Sequence, residues 1–135
     1  MSNEAKLPFN VSILARDMER LHAFYRALLG LPDYPEKRSP IFRALKNGDT
    51  LLGFHAPAAY QLLDIADRMP SGAVATVVYA TFLVASDEEV NLGALRAVQL
   101  GGRILKPPYR TYYHAWQAVL ADPEGNMFRL SAGSP

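Results

Sequence analysis

The residue with the clearest chemical potential is Arg129, which stands in the alternating run 127–131 directly after the turn sequence DPEGN. A guanidinium is permanently charged and carries its N–H donors in one plane, so it can hold a carboxylate, a phosphate or an enolate by a bidentate contact. The position is equally consistent with an arginine that pairs with a neighbouring acid or extends from an edge strand. Both interpretations stay open from the sequence.

Two of the three histidines lie in the first half of the chain. His22 stands between apolar residues of a predicted helix, which indicates a solvated or half-buried helix residue rather than a ligand. His55 ends a predicted strand and could reach the rim of a cavity, although a structural role is more common for a histidine at a strand end. One such histidine cannot make a metal site.

The third histidine, His114, belongs to the aromatic segment PPYRTYYHAW, residues 107–116. Aromatic rings with polar tips suit the wall of a small-molecule site, so Tyr113 and Trp116 are predicted to contact a ligand. The segment contains four aromatic rings, those of Tyr109, Tyr112, Tyr113 and Trp116. For at least two of them, the alternative is that they cover the core or a dimer contact. No Ser-His-Asp order, phosphate-binding glycine loop or specific acid-base pair can be argued from the remaining residues.

The composition limits the class of partner. The chain has 135 residues, enough for one compact domain, and a formal net charge of +1, so neither nucleic acid nor a membrane surface is indicated. A small organic molecule is the expected partner. There is no cysteine, which excludes disulfides and thiolate chemistry. The N-terminal sequence lacks an apolar run typical of a signal peptide, and no segment is long enough to span a membrane, so we expect a cytoplasmic protein.

The elements that position these residues follow one order in each half of the chain. In the first half, a two-faced strand over 7–15 leads to Asp17, a helix N-cap, and the apolar spacing that follows predicts a helix ending at Gly30. Strands over 41–45 and 50–55 then form a hairpin around an Asn-Gly turn.

The second half begins with the apolar run 75–85 and places Asp87 where a helix start favours negative charge. Aligning Asp17 with Asp87 gives an offset of 87 − 17 = 70 between the halves. The remaining predicted strands lie near 104–105, 116–121 and 127–131. Each half is therefore predicted as strand, helix, strand, strand, strand.

Several segments resemble the vicinal oxygen chelate superfamily, which includes glyoxalases, bleomycin-resistance proteins and extradiol dioxygenases. They are the first strand ending near Asp17, FYRALLGL at the end of the first helix, GG before Arg103, and DPEGNMFRL. The resemblance implies an α+β fold of two βαβββ modules whose curved mixed sheets surround a cavity, with the helices outside and often a homodimer. It divides a single domain into module one at about 7–56, a linker at about 57–73 and module two at about 74–132.

Alternation along the strands then assigns the two faces of each sheet. The residues expected to face the helices are Val11, Ile13, Phe128 and Leu130, and those expected to face the cavity are Asn10, Ser12, Met127, Arg129 and Ser131.

In metal-using members of this superfamily, His, Gln or Glu side chains on the first and last strands of each module hold the ion. The matching positions are Asn10, Ala80, Arg129 and, within one or two residues, Gly53. Asparagine is a weak ligand and alanine and glycine offer no side-chain donor. A divalent ion beside the arginine would be repelled by about 4 kcal/mol or more. The resemblance therefore implies a degenerate metal site and no cofactor.

These inferences predict a metal-independent protein that binds a small anionic or carbonyl-bearing molecule, in the manner of bleomycin-resistance proteins. The predicted ligand-binding residues are Arg129, Asn10, Ser12, His55, Phe82, Tyr113 and Trp116. The alternative is a metal-dependent lyase, isomerase or dioxygenase that recruits a divalent metal through His55 and a displaced donor. A third possibility is a regulatory domain with a vestigial cavity.

Overall fold

The computed structural model describes residues 7–72 and 75–133, and the chain divides into two compact units, 1–68 and 69–135. Each unit has its own sheet and its own long helix. The predicted boundary between linker and second module, at 73–74, lies outside the described residues. Among the described residues, no helix is both long enough and apolar enough to cross a bilayer.

The first unit contains three strands and one long helix. Its elements are β1 (Val11–Leu14), α1 (Met18–Leu29), β2 (Phe42–Asn47), β3 (Thr50–His55) and the one-turn helix α2 (Ala59–Leu62). The strand order is β1-β3-β2, with β1 parallel and β2 antiparallel to β3. Helix α1 starts at the predicted cap, where the Asp17 carboxylate accepts a hydrogen bond from the Arg20 N–H at 3.1 Å, and it ends at Gly30 with a φ of 68°.

Helix α1 packs on one face of this sheet. Leu21, Phe24 and Tyr25 are buried, and Tyr25 stacks on Phe54 of β3 with 5.7 Å between ring centroids. Aromatic and aliphatic side chains one helical turn apart thus cover the face that carries Phe54, and they leave the other face of the sheet free of this helix.

His22 is buried on the same helix, which differs from the solvated or half-buried position that the sequence predicts. Its Nε2 lies 3.0 Å from the Asp33 carboxylate, which also accepts a hydrogen bond from Arg38 at 2.8 Å. Burial acts to raise the pKa of Asp33, but the hydrogen bond and charge of His22, with smaller contributions from Tyr34 and Arg38, lower the pKa below its ordinary value. The cluster ties α1 to the segment that follows it.

The second unit has the full predicted order of elements. They are β4 (Ala80–Leu83), α3 (Asp87–Gln99), β5 (Arg103–Arg110), β6 (Trp116–Ala121) and β7 (Met127–Ala132). The strand order is β4-β7-β6-β5, with β4 parallel to β7 and the other pairs antiparallel. Helix α3 buries Val90, Ala94 and Ala97, and Gly93 lets it approach Leu130 of β7, since a Cβ there would collide with the Leu130 side chain.

The turn between β6 and β7 fixes which residues of β7 face the helix. The buried Asp122 carboxylate accepts hydrogen bonds from the N–H groups of Glu124 at 2.9 Å and Asn126 at 3.0 Å, and Gly125 has a φ of 90°. The DPEGN sequence is therefore the predicted turn. It sets the hairpin so that Phe128 is buried and Arg129 points to the opposite face of the sheet.

The predicted α+β fold, with two mixed sheets and peripheral helices, is confirmed. The first unit differs from a full βαβββ module, because its described residues form a sheet of three strands. Between α1 and β2 the chain forms a short 3-10 helix, Pro35–Lys37, and two isolated bridges, Asp33 with Leu45 and Ser39 with Phe42, in place of a strand. This segment contains three prolines, which lack the N–H that a continuous strand would donate.

Candidate functional site

Arg129 lies in the middle of β7, where its register partners are Thr81 on β4 and Val119 on β6. Its Nε donates to the Thr81 hydroxyl at 2.9 Å, and its Nη1 lies 3.4 Å from the hydroxyl oxygen of Tyr113. The guanidinium carbon is 5.0 Å from the ring centroid of Tyr79. Neutral groups therefore hold the charged side chain on one face of the second sheet, and this surface is called the Arg129 face below.

No carboxylate of residues 7–72 or 75–133 forms an ion pair with Arg129. Arg110, in the same unit, behaves differently, because it contacts the Asp87 carboxylate at 2.8 Å. A partly buried guanidinium without a counter-ion keeps N–H donors that a bound anion could satisfy. Within the described residues, the interpretation of Arg129 as half of an internal ion pair is therefore not supported.

A chain of hydrogen bonds extends from Arg129 toward β5. The Tyr113 hydroxyl donates to Gln117 Oε1 at 2.9 Å, and Gln117 Nε2 donates to the Tyr109 hydroxyl at 2.9 Å. Gln117 is only 2% exposed. Beyond it, Lys106 Nζ lies 3.8 Å from the Tyr109 ring centroid. The Arg129 face thus joins two cationic side chains through a polar chain anchored by a buried amide.

Ser131 lies on the same face, directly opposite Gln117 in the register of β6 and β7. The residue is 1% exposed, and its Oγ has no hydrogen-bond partner among the described residues. Leaving a buried hydroxyl unpaired costs about 1–3 kcal/mol. This side chain is therefore an unexplained polar group beside the hydrogen-bond chain.

Two predicted wall residues lie on the opposite face, which corrects the expectation that they line one wall with Arg129. The Phe82 ring contacts Phe128 at 5.8 Å between centroids, on the side of β7 that alternates with Arg129. Trp116 Nε1 donates to Asn91 of α3 at 2.8 Å. Side chains paired across strands point to the same side, so both aromatic residues belong to the helix-facing layer. Tyr113, by contrast, does lie at Arg129.

The helix cap in the second unit shifts the internal alignment by one residue. Ser86 caps α3, with its hydroxyl accepting a backbone hydrogen bond at 3.2 Å, just as Asp17 caps α1. The offset between the units is therefore 86 − 17 = 69. The counterpart of Asn10 is therefore Tyr79. The predicted counterpart, Ala80, is wrong because it comes from aligning Asp87 with Asp17, and Asp87 is the first residue of α3 rather than its cap.

The sheet registers agree with the new offset and identify the counterpart of Arg129. Ser12 pairs with Gly53 in the first sheet, and Thr81 pairs with Arg129 in the second. A Cβ at Gly53 would lie 2.7 Å from the Phe42 ring and 2.7 Å from Ser12 Oγ. The position therefore has neither a donor side chain nor space for one.

The four positions at which the resemblance implies a metal ion carry no set of donors that fits one. Asn10 Oδ1 already accepts a hydrogen bond from the Leu51 N–H at 2.9 Å, Gly53 has no side chain, and the Tyr79 ring contacts the Arg129 guanidinium. Protein zinc sites require three or four donors. No group of three or more His, Asp or Glu side chains in the described part of the chain is placed to hold a metal ion.

The other predicted residues belong to the first sheet. Ser12 and His55 share the face that carries Gly53, and the His55 ring lies 4.6 Å from that of Phe42. Burial lowers the pKa of His55, which favours the neutral imidazole, and its buried Nδ1 has no hydrogen-bond partner among the described residues. Contact of Asn10, Ser12 or His55 with a ligand stays a prediction.

Asn10 also lines a pocket of about 400 Å³ within the first unit. Lys37, Lys46 and Asp49 contribute to the same lining, which gives it a positive balance. Lys46 Nζ lies 5.0 Å from the centroid of Tyr34, another lining residue. The pocket can hold a few small polar groups, but its charged side chains are solvated and none is held as Arg129 is.

Sequence reasoning missed Tyr79, Thr81 and Gln117. Gln117 gave a usable signal, because it is the one polar residue in the apolar strand WQAVLA. A buried polar side chain needs hydrogen-bond partners, and the tyrosines of the neighbouring segment were the available ones. Tyr79 and Thr81 gave none, since they lie in a run with apolar residues on both faces.

Comparison with known proteins places this arrangement in context. A family model described as a glyoxalase-like domain matches residues 10–131. A glyoxalase/bleomycin resistance protein/dioxygenase family enzyme from Burkholderia phytofirmans PsJN is 38% identical, with a TM-score of 0.85, over 91% of this chain and 95% of its own. None of the curated proteins matches the chain.

More distant solved structures share the fold. A glyoxalase-related enzyme from Fulvimarina pelagi is 18% identical with a TM-score of 0.77, over 96% of this chain and 89% of its own. A lactoylglutathione lyase from Agrobacterium tumefaciens is 21% identical with a TM-score of 0.71, over 96% of each chain. At these identities the similarity concerns the fold alone.

Proposed function

The chain belongs to the glyoxalase-like domain family of the vicinal oxygen chelate superfamily, and from that premise we propose that it binds a small organic anion through Arg129 without a metal ion. The mode of action is binding or sequestration, as in bleomycin-resistance proteins. The proposal includes a cytoplasmic location and a homodimeric assembly.

The observation that carries this proposal is the setting of Arg129. A permanent cation occupies the ligand position of the last strand, is held by Thr81 and Tyr113, and has no carboxylate partner among the described residues. Because Nε is engaged by Thr81 and one N–H of Nη1 points to Tyr113, the remaining N–H groups of the two terminal nitrogens form the free edge of the guanidinium. That edge matches the two oxygens of a carboxylate in an end-on, bidentate contact.

The aromatic neighbours of Arg129 suit the organic part of such an anion. Tyr79 lies against the guanidinium, and Tyr113 contacts it through the hydroxyl oxygen. Rings beside a charged anchor offer apolar contact area at a low cost in conformational entropy. The expected ligand therefore combines an anionic group with a small apolar body.

The test is isothermal titration of wild type and Arg129→Leu with benzoate, hexanoate and inorganic phosphate. A hydrogen bond to a charged group contributes about 1.5–3 kcal/mol, so the substitution should weaken binding of the best probe by about tenfold or more. Arg129→Lys keeps the charge but loses the planar fork, so its affinity should fall between the two.

Arg110→Leu is the matched control. Arg110 also lies 5.0 Å from an aromatic centroid, that of Trp116, but it pairs with Asp87, the first residue of α3. Its loss should leave the affinity for the probes unchanged. Equal binding by wild type and Arg129→Leu would contradict the proposal, as would purification with near-stoichiometric Zn, Ni, Mn or Fe.

A further inference from the structure

The hydrogen-bond chain on the Arg129 face has a direction, because Gln117 accepts at Oε1 from Tyr113 and donates at Nε2 to Tyr109, and an arginine can only donate. Arg129 donates to the Tyr113 oxygen, Tyr113 uses its single hydrogen for Gln117 Oε1, and Gln117 Nε2 donates to the Tyr109 oxygen. The hydroxyl hydrogen of Tyr109 then has no acceptor among the described residues. Both ends of the chain therefore present donors to whatever lies beside them.

Each of these donor ends also carries a positive charge. Arg129 provides it at one end, and Lys106, with Nζ 3.8 Å from the Tyr109 ring centroid, provides it at the other. A molecule that satisfies both ends must supply an acceptor at each, and negative charge at each is favoured. One anionic group would leave the Tyr109 and Lys106 end unused.

The spacing between the two ends follows from the sheet. Val119 of β6 is the register partner of Arg129 on one side and of Lys106 on the other. The two cationic residues are thus separated by two strand spacings, about 9–10 Å between backbones. Val119 occupies the position directly between their backbones on the same face, and the hydrogen bond from Tyr113 to Gln117 runs beside it.

We propose that the Arg129 face binds a small dicarboxylate, with one carboxylate at Arg129, the second at Tyr109 and Lys106, and the carbon segment across Val119. This inference rests on the proposed function, since it presupposes that Arg129 binds an anion. It goes further by assigning a second anionic subsite and by selecting dicarboxylates over monocarboxylates of equal length.

The experiment is isothermal titration at constant ionic strength with two series of probes. One series is the linear dicarboxylates from succinate to pimelate, and the other is the monocarboxylates from butyrate to heptanoate. The best dicarboxylate should bind about tenfold or more tightly than the monocarboxylate with the same number of carbons, since the second charged contact is worth at least about that factor.

Tyr109→Phe and Lys106→Met should each reduce the affinity for that dicarboxylate toward the value for its monocarboxylate. Tyr112→Phe is the matched control, because Tyr112 belongs to the same segment but is 93% exposed. It should keep the full preference. Phenylalanine retains the ring at both positions, but Tyr109→Phe also removes the acceptor of the buried Gln117 Nε2. Thermal unfolding of each variant is therefore measured beside the titration, and Lys106→Met tests the second subsite without breaking this hydrogen bond.

The outcomes separate this inference from the proposed function. Monocarboxylates that bind through Arg129, with no advantage for any dicarboxylate, would overturn the second subsite and leave the anion site standing. A dicarboxylate preference that survives both Tyr109→Phe and Lys106→Met would overturn the assignment of these residues. Absence of binding by both series would overturn the proposed function itself.

Discussion

Gly53→Ala tests why the first unit has no ligand side chain at the position equivalent to Arg129. A Cβ at Gly53 would lie 2.7 Å from Phe42 Cε1 and Cζ and 2.7 Å from Ser12 Oγ. Carbon atoms pack at about 3.5–4.0 Å, so the Phe42 ring would have to move by about 1 Å. That ring also contacts His55 at 4.6 Å, and the movement would disturb this second contact.

The sign of the effect follows from two opposing magnitudes. Overpacking of this kind costs about 1–3 kcal/mol, whereas replacing glycine with alanine at a compatible position stabilises by about 0.4–1 kcal/mol through the unfolded chain. Gly53→Ala should therefore lower the free energy of unfolding by roughly 1–2 kcal/mol. The measurement is urea unfolding, with Gly72→Ala as control, because a Cβ there meets no heavy atom within 4 Å.

A double-mutant cycle with Phe42→Leu identifies the collision partner. Leucine lacks the outer ring atoms that approach Gly53, so Gly53→Ala should cost less in the Phe42→Leu background than in wild type. The reasoning is refuted if Gly53→Ala is as stable as wild type, or if its cost is the same in both backgrounds.

Two further predictions concern buried polar groups. Ser131→Ala should not destabilise the protein, and should stabilise it by up to about 1 kcal/mol, because the buried Ser131 hydroxyl has no partner among the described residues. Thr111→Val is the control: it removes a buried hydroxyl that accepts a hydrogen bond from the Ala115 N–H at 2.9 Å, and should lower the free energy of unfolding by about 1 kcal/mol. Both are measured by thermal unfolding. If Ser131→Ala instead lowered the free energy of unfolding by more than about 1 kcal/mol, the Ser131 hydroxyl would have to be hydrogen-bonded in the folded protein. Asp33→Asn should cost about 1–3 kcal/mol because it removes the partner of buried His22, while Arg38→Ala, at an exposed end of the cluster, should cost little. Because the pKa of Asp33 is lowered in the folded state, its contribution to stability is present above the ordinary value of 3.8 and is lost as the pH falls below that value. Plots of stability against pH for wild type and Asp33→Asn should therefore converge in acid, and plots that stay parallel would contradict the role given to the Asp33 carboxylate.

The fold could be predicted because its signals are local and redundant. Asp17 is the only residue near the start of α1 that suits a cap, and Gly30 and the DPEGN turn need the conformations that they adopt. In the second unit, Ser86 and Asp87 are both good caps, and the sequence does not distinguish them. The one-residue error that follows inverts the faces of β4, because side chains alternate with a period of two.

The site was less predictable because it depends on pairing between strands. Phe82 and Trp116 lie in runs with apolar residues at odd and even positions, so alternation does not say which face carries the ring. Their partners, Phe128 and Asn91, become known only with the register and the helix in place. Arg129 stands out in the sequence because a charge inside an alternating strand conflicts with burial on the helix side, and the structure places it on the opposite face of the sheet.

The two units lack a neutral or acidic donor side chain at matching positions for different physical reasons. In the first unit the position is closed, since the Phe42 ring and Ser12 occupy the space that a side chain at Gly53 would need. In the second unit the position is filled by Arg129, whose charge is supported by a hydroxyl and two aromatic residues rather than by an acid. At Gly53, steric exclusion alone is enough to keep a longer side chain out. At Arg129, burying part of a cation without a counter-ion costs free energy of desolvation. That difference is the physical basis of the proposed anion site, since donors at both ends of the hydrogen-bond chain are what an anionic partner would require.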